Sequence, residues 1–192
     1  SDVLAMDALI VYDYNYSNKE NAYRLLSDYV KIGKKIFIDT GVEVKEANEA
    51  ESLPEIFPIN RSERKPLGKT WDFETGDSDL VEGIDFGAFS LPVFNNEGWS
   101  ISYPPSDADV REGSNIILKN KGKIVMISYN VNGGELIWSG INLPYHVIRE
   151  HNADEVKFLK NIFEKLLEGS LILEKTVYEA RFINPQRREI AT

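Results

Sequence analysis

The most constraining feature of the chain is a strand, capped helix and strand in its first forty residues. Ala8 to Tyr12 (Ala-Leu-Ile-Val-Tyr) is a continuous apolar, β-branched run, the composition of a strand covered on both faces. Ser17-Asn18-Lys19-Glu20 has the spacing of a capping box. Behind it Ala22, Leu25, Leu26, Tyr29 and Val30 fall on one helical face, and Gly33 stands where a left-handed terminator belongs. Lys35 to Asp39 (Lys-Ile-Phe-Ile-Asp) predicts a second buried strand. Two such strands joined through a helix must pair in parallel with a right-handed crossover. An all-β or all-helical fold would contradict this expectation.

Pattern returns late in the chain. Asn115 to Leu118 and Lys123 to Tyr129 predict strands, and Asn132-Gly133-Gly134 predicts a tight turn into a strand over Glu135 to Ser139. That pair reads as an antiparallel hairpin closing a parallel sheet. Asn152 to Glu155 has the spacing of a second capping box. The helix it opens carries Val156, Leu159, Ile162, Phe163, Leu166 and Leu167 as an expected apolar stripe, ended by Gly169. The expected core is Leu25, Leu26, Tyr29, Ile36, Ile38, Ile137, Leu159 and Phe163.

Residues 45–110 hold six of the eight prolines and only short apolar runs, so long loops with a few short strands or helical turns are expected there. Leu171 to Phe182 has strand character and Asn184-Pro185 breaks it. The chain divides into residues 1–170, one α/β domain, and residues 171–192, a β-like extension expected to begin a following module and to lie at a sheet edge, on a partner copy or reaching away. Both ends read as cut from a longer protein; the sequence leaves its compartment open, an extracytoplasmic domain of a membrane-anchored or secreted protein being one option.

Charge and cysteine content narrow the function. A formal charge of -9 disfavours phosphate backbones and anionic lipid, so no nucleic acid and no direct membrane contact are expected. The short basic clusters, Arg61 to Lys65 and Arg187-Arg188, read as solvated loop charges. The absence of cysteine removes disulfides, thiolate metal sites and a thiol nucleophile. No cofactor and no metal is expected. His146 and His151 sit across a proline-led loop that does not hold them together as ligands, and Asp72, Glu74, Asp77 and Asp79 do not fit a calcium loop. Trp71, Trp99, Tyr103, Pro104 and Pro105 could form a carbohydrate or peptide platform, but read better as anchors pinning a long loop onto the core.

Two stretches carry a family likeness. Leu26, Tyr29, Val30 and Gly33, leading into Lys35 to Asp39, resemble the helix-to-strand step of class I glutamine-amidotransferase-like domains. Gly133 to Asn142 (Gly-Gly-Glu-Leu-Ile-Trp-Ser-Gly-Ile-Asn) is similar to the hairpin strand before their last helix. ThuA-like proteins and the trimerisation domain of some β-galactosidases share this look. The resemblance implies a flavodoxin-like three-layer sandwich, mostly parallel, with an antiparallel hairpin at one edge. The catalytic members place a cysteine on the turn after the second strand; here that turn reads Asp39-Thr40-Gly41-Val42. Their late histidine-x-glutamate pair is also missing, since Ile148 stands two residues after His146. A threonine hydroxyl needs an adjacent base to replace a thiolate, so no glutaminase activity is expected.

In open α/β sheets ligands bind beyond the carboxyl ends of the parallel strands. Those ends carry Asp13, Tyr14 and Asn15, then Asp39 and Thr40, then Asn142, Tyr145 and His146. The expected ligand crevice is Tyr14, Asn15, Thr40, Asn142 and His146, suited to a small polar molecule. The same residues could instead hydrogen-bond one another and close the gap. Two functions compete. One is a non-catalytic interaction or ligand-sensing module whose partner is another protein or the rest of its own longer chain. The other is a hydrolase or sugar-modifying enzyme using His146 with Asp13 or Asp39 as acid and base.

Overall fold

The computed structural model describes residues 2–12, 16–40, 52–93 and 96–168. The expectations for Asp13, Tyr14, Asn15 and residues 171–192 lie outside them. Eight strands are described: β1 (Ala8–Tyr12), β2 (Lys35–Asp39), β3 (Glu63–Pro66), β4 (Phe73–Thr75), β5 (Ser100–Tyr103), β6 (Asn115–Asn120), β7 (Lys123–Val131) and β8 (Gly134–Ser139). The helices are α1 (Lys19–Lys31), α2 (Leu143–Glu150) and α3 (Ala153–Leu167). No helix among the described residues is long and apolar enough to cross a membrane.

The expected β1-α1-β2 unit is present, with β1 and β2 in parallel register from Ala8 opposite Lys35 to Tyr12 opposite Asp39. The cap falls one residue later than expected. Asn18, not Ser17, accepts the Asn21 amide at 2.8 Å, and asparagine caps as well as serine does. Gly33 takes a left-handed φ of 88°.

The expectation of a mostly parallel, flavodoxin-like sandwich is corrected. The main sheet runs β1-β2-β8-β7-β6-β4. Only β1-β2 and β2-β8 pair in parallel; β8-β7, β7-β6 and β6-β4 are antiparallel. The β7-β8 hairpin is therefore internal, and antiparallel strands continue beyond it. The cause is connection length. Asn132-Gly133 joins β7 to β8, and Lys121-Gly122 joins β6 to β7, both pairs at positive φ. Two-residue turns permit only antiparallel neighbours, whereas parallel ones need a crossover. The Lys121-Gly122 turn lies between two expected strands, and β4 is one of the short strands expected in residues 45–110. β3 and β5 form a separate antiparallel pair.

Apolar side chains cover both faces of the sheet. On one, α1 packs Leu26, Tyr29 and Val30 against Ile36, Ile38, Leu136 and Trp138, joined by Leu53, Ile56 and Phe57. On the other, α3 packs Phe158, Ile162 and Leu166 against Phe37, Ile137 and Leu143. Leu26, Tyr29, Ile36, Ile38 and Ile137 are buried as expected, whereas Leu25, Leu159 and Phe163 are only half-buried. The buried stripe of α3 is Glu155, Phe158, Ile162 and Leu166. Val156, placed on the stripe by the sequence reading, is 45% exposed.

Candidate functional site

Because β1, β2 and β8 are parallel, their carboxyl ends lie together. β2 ends on Asp39, which pairs in register with Ser139 at the end of β8. Both are fully buried, and Ser139 Oγ donates to Asp39 Oδ2 at 2.7 Å. The same carboxylate oxygen accepts the Leu143 amide at 3.0 Å, so Asp39 caps the start of α2. An acceptor at that position satisfies an otherwise orphaned helical donor and meets the positive end of the helix dipole.

Thr40 and Asn142 flank this bond, each one residue from one of its partners. The Thr40 amide donates to Ser139 O at 3.0 Å. Asn142 sits in the left-handed region, φ 60° and ψ 42°, a conformation asparagine tolerates better than most residues. Tyr12, at the end of β1, donates its hydroxyl to Asn142 Oδ1 at 2.9 Å. That leaves Asn142 Nδ2 without a partner although the residue is buried, and Thr40 Oγ1 is buried and unpartnered as well. Buried polar groups are nearly always hydrogen-bonded, so two orphans on one hydrogen bond's flanks need a reason.

His146 lies one helical turn after Asn142, whose carbonyl accepts its amide at 3.2 Å. The residue is 3% exposed, and its ring stands between Trp99, at 4.8 Å between centroids, and Trp71, at 5.6 Å. Neither imidazole nitrogen has a hydrogen-bond partner. Nδ1 is 3.7 Å from Glu155 Oε1, too far for a hydrogen bond. Glu155 is fully buried; Oε1 accepts the Ser90 amide at 2.8 Å, and Oε2 is unpartnered. Proximity favours an ion pair and burial favours two neutral groups. Burial opposes the ion pair here, because both side chains are enclosed and no hydrogen bond joins them. Burial pushes the Glu155 carboxyl up. Burial first, and then the Arg149 charge, holds His146 down at about 4.

This has a measurable consequence. As pH falls from 6.5 to about 4, the unfolded chain takes up a proton that folded His146 refuses, so stability falls through that window. Glu155 acts with the opposite sign, since its raised pKa makes its contribution fade as pH rises. Subtracting the unfolding free energy of a His146→Phe variant, pH by pH, isolates the histidine. The expected wild-type loss relative to the variant is on the order of 2 kcal/mol. A flat difference would show that His146 is hydrated or paired.

Of the five residues expected in the crevice, Thr40, Asn142 and His146 are described. All three are buried at the expected end of the sheet, and each holds at least one unpartnered polar atom. Asp39 is not bonded to His146; it is engaged with Ser139 and Leu143. His151 is exposed at the end of α2, and Asp72, Glu74, Asp77 and Asp79 are exposed too. Arg61, expected as a solvated charge, holds the buried Asp109 at 2.8 Å and keeps its carboxyl below the usual range. The aromatic residues anchor loops: Trp71 stacks on Phe73 at 4.8 Å and donates to Ser90 O at 2.6 Å.

Sequence reasoning missed Tyr12, Ser139 and Glu155. Glu155 was assigned to a capping box. Asn152 does cap α3, accepting the Asp154 and Glu155 amides, but the glutamate turns inward to Ser90. A stripe phased on Phe158 instead of Leu159 would have exposed it as a buried acid. Surface depressions lie elsewhere on the described residues. One of about 350 Å3 is lined by Asp79, Glu82, Asn161 and Lys165, and a neighbouring one reaches Glu135, at the opposite end of β8.

No protein-family model matches the chain, and no curated protein is significantly similar to it. Solved structures are. The cytoplasmic protein STM3548 from Salmonella typhimurium superposes with a TM-score of 0.59 at 14% identity, covering 85% of this chain and 73% of its own. The cytoplasmic protein STM1381 from Salmonella typhimurium LT2 gives 0.54 at 15%, covering 86% and 74%. At such identities the likeness is one of fold alone.

Proposed function

We propose that this chain is a non-catalytic domain of the glutamine-amidotransferase-like kind, a binding module that takes a small polar ligand beyond the carboxyl ends of β2 and β8. The observation that carries this reading is the set of buried, unpartnered polar atoms on Thr40, Asn142 and His146. Each is a hydrogen-bonding group withheld from the fold, and leaving such a group dry and unpaired costs roughly 1–3 kcal/mol. Sites that sacrifice stability in this way are where function concentrates.

The non-catalytic part rests on chemistry. Thr40 occupies the nucleophile-like turn with no base hydrogen-bonded to its hydroxyl, and a hydroxyl without a base is a poor nucleophile at neutral pH. The hydrolase reading needs His146 joined to Asp39 or Asp13. His146 holds no hydrogen bond to Asp39, and its ring is enclosed by tryptophans. The two Salmonella structures named above carry the word cytoplasmic in their names. That speaks against the extracytoplasmic expectation without placing this chain.

The test is chemical-shift mapping of the labelled chain against sugars, amino acids and nucleotides. Saturable shifts are expected at Thr40, Asn142 and His146 and at their neighbours Tyr12 and Ser139. Shifts clustered around Asp79 and Lys165, or none that saturate, would remove the proposal.

A further inference from the structure

The crevice also discriminates by charge; this inference rests on the binding reading above and concerns the same site. We infer that it accepts an uncharged group bearing a hydrogen-bond-accepting oxygen, an amide carbonyl or a hydroxyl, in preference to a carboxylate or a phosphate.

Helix amino termini ordinarily favour anions, because free amides and the dipole point at the ligand. At the start of α2 that supply is spent. The Leu143 amide donates to Asp39, the next residue is Pro144, and the His146 amide donates to Asn142 O. At most the Tyr145 amide remains in the first turn. A carboxylate of the chain already stands where an incoming anion would stand, so an anion would meet Asp39 across the same donors.

The groups that do remain are neutral. Tyr12 occupies Asn142 Oδ1, and the two Nδ2 hydrogens are left as unspent donors. Thr40 Oγ1 can donate or accept. An amide hydrogen and a hydroxyl suit a carbonyl or hydroxyl oxygen. They do not offset the cost of drying a full charge, which needs a cation or several strong donors. Arg149, whose charge reaches His146, is half-exposed and engaged with Glu150 and the Tyr145 hydroxyl.

Acetamide and acetate have nearly the same shape and differ in charge, so they isolate the question. The chain is labelled with nitrogen-15 and titrated with each at matched ionic strength. The Asn142 side-chain amide and the Thr40 backbone amide report binding. Ethylene glycol is a third arm that separates hydroxyl from carbonyl preference, and inorganic phosphate is a fourth. Saturable shifts with acetamide or ethylene glycol are expected, with acetate and phosphate at least about tenfold weaker. Asn142→Gly keeps the left-handed backbone without strain and removes the donor, so the neutral probes should lose affinity there. Acetate or phosphate binding as tightly at Thr40 and Asn142 would overturn the charge preference while leaving the crevice standing. Saturation elsewhere, or with no probe at all, would overturn both.

Discussion

Phe158→Ala is expected to cost about 4 kcal/mol of unfolding free energy, while Leu159→Ala, its neighbour on the same helix, costs about 1. Phe158 is fully buried against the β2-β8 face. Its ring meets Phe86 edge-on at 5.3 Å and Phe89 at 6.2 Å, so truncation opens a cavity and removes aromatic contacts together. Leu159 is only half-buried at the rim, and water can fill what its truncation leaves. For a chain of this size the larger loss lowers the melting temperature by roughly 10 °C. Urea unfolding of the two variants decides the phase of α3. Equal costs, or a larger cost for Leu159, would mean that the helix is rotated and that Glu155 does not face Ser90.

Gly140→Ala is the second large effect, expected at about 3 kcal/mol or more. Gly140 follows β8, donating to Val125 O at 2.8 Å and accepting the Ser102 amide at 3.0 Å. A β-carbon there would lie 1.9 Å from Ser102 O, a backbone atom. Either β5 withdraws or the β8 exit shifts, and both movements disturb Asn142 and His146 downstream. Calorimetry should show the destabilisation, and amide shifts should spread through residues 139–146 and 100–103. A variant within about 1 kcal/mol of wild type would show that the approach of β5 to β8 is looser than described.

What was legible in the sequence follows from how local each signal is. The β1-α1-β2 unit was legible because periodicity, cap and glycine terminator agree within one stretch. The overall sheet character was not. It depended on Lys121-Gly122, a turn flanked by lysine and asparagine rather than by an obvious asparagine-glycine pair, and on β4, a three-residue strand between proline-rich segments. Of the candidate site, one part was legible: strand direction sets where strands end, and so puts Thr40, Asn142 and His146 at one end of the sheet. It could not show that Asp39 would be consumed by Ser139 and Leu143, or that the acid beside His146 would be Glu155. Those are long-range contacts, joining residues 39 and 143 or 90 and 155, and no local pattern encodes them.

The central claim is that Thr40 and Asn142 are withheld from the fold for a ligand. Thr40→Val tests it most directly, because the substitution keeps the branched shape and deletes only the hydroxyl. Were that hydroxyl structural, its loss would leave a partner unsatisfied and cost about 1–2 kcal/mol. It has no partner, so the variant should unfold at higher urea concentration, gaining about 1 kcal/mol, while its shift response to neutral probes weakens. A Thr40→Val chain that is less stable than wild type and binds those probes unchanged would contradict the account.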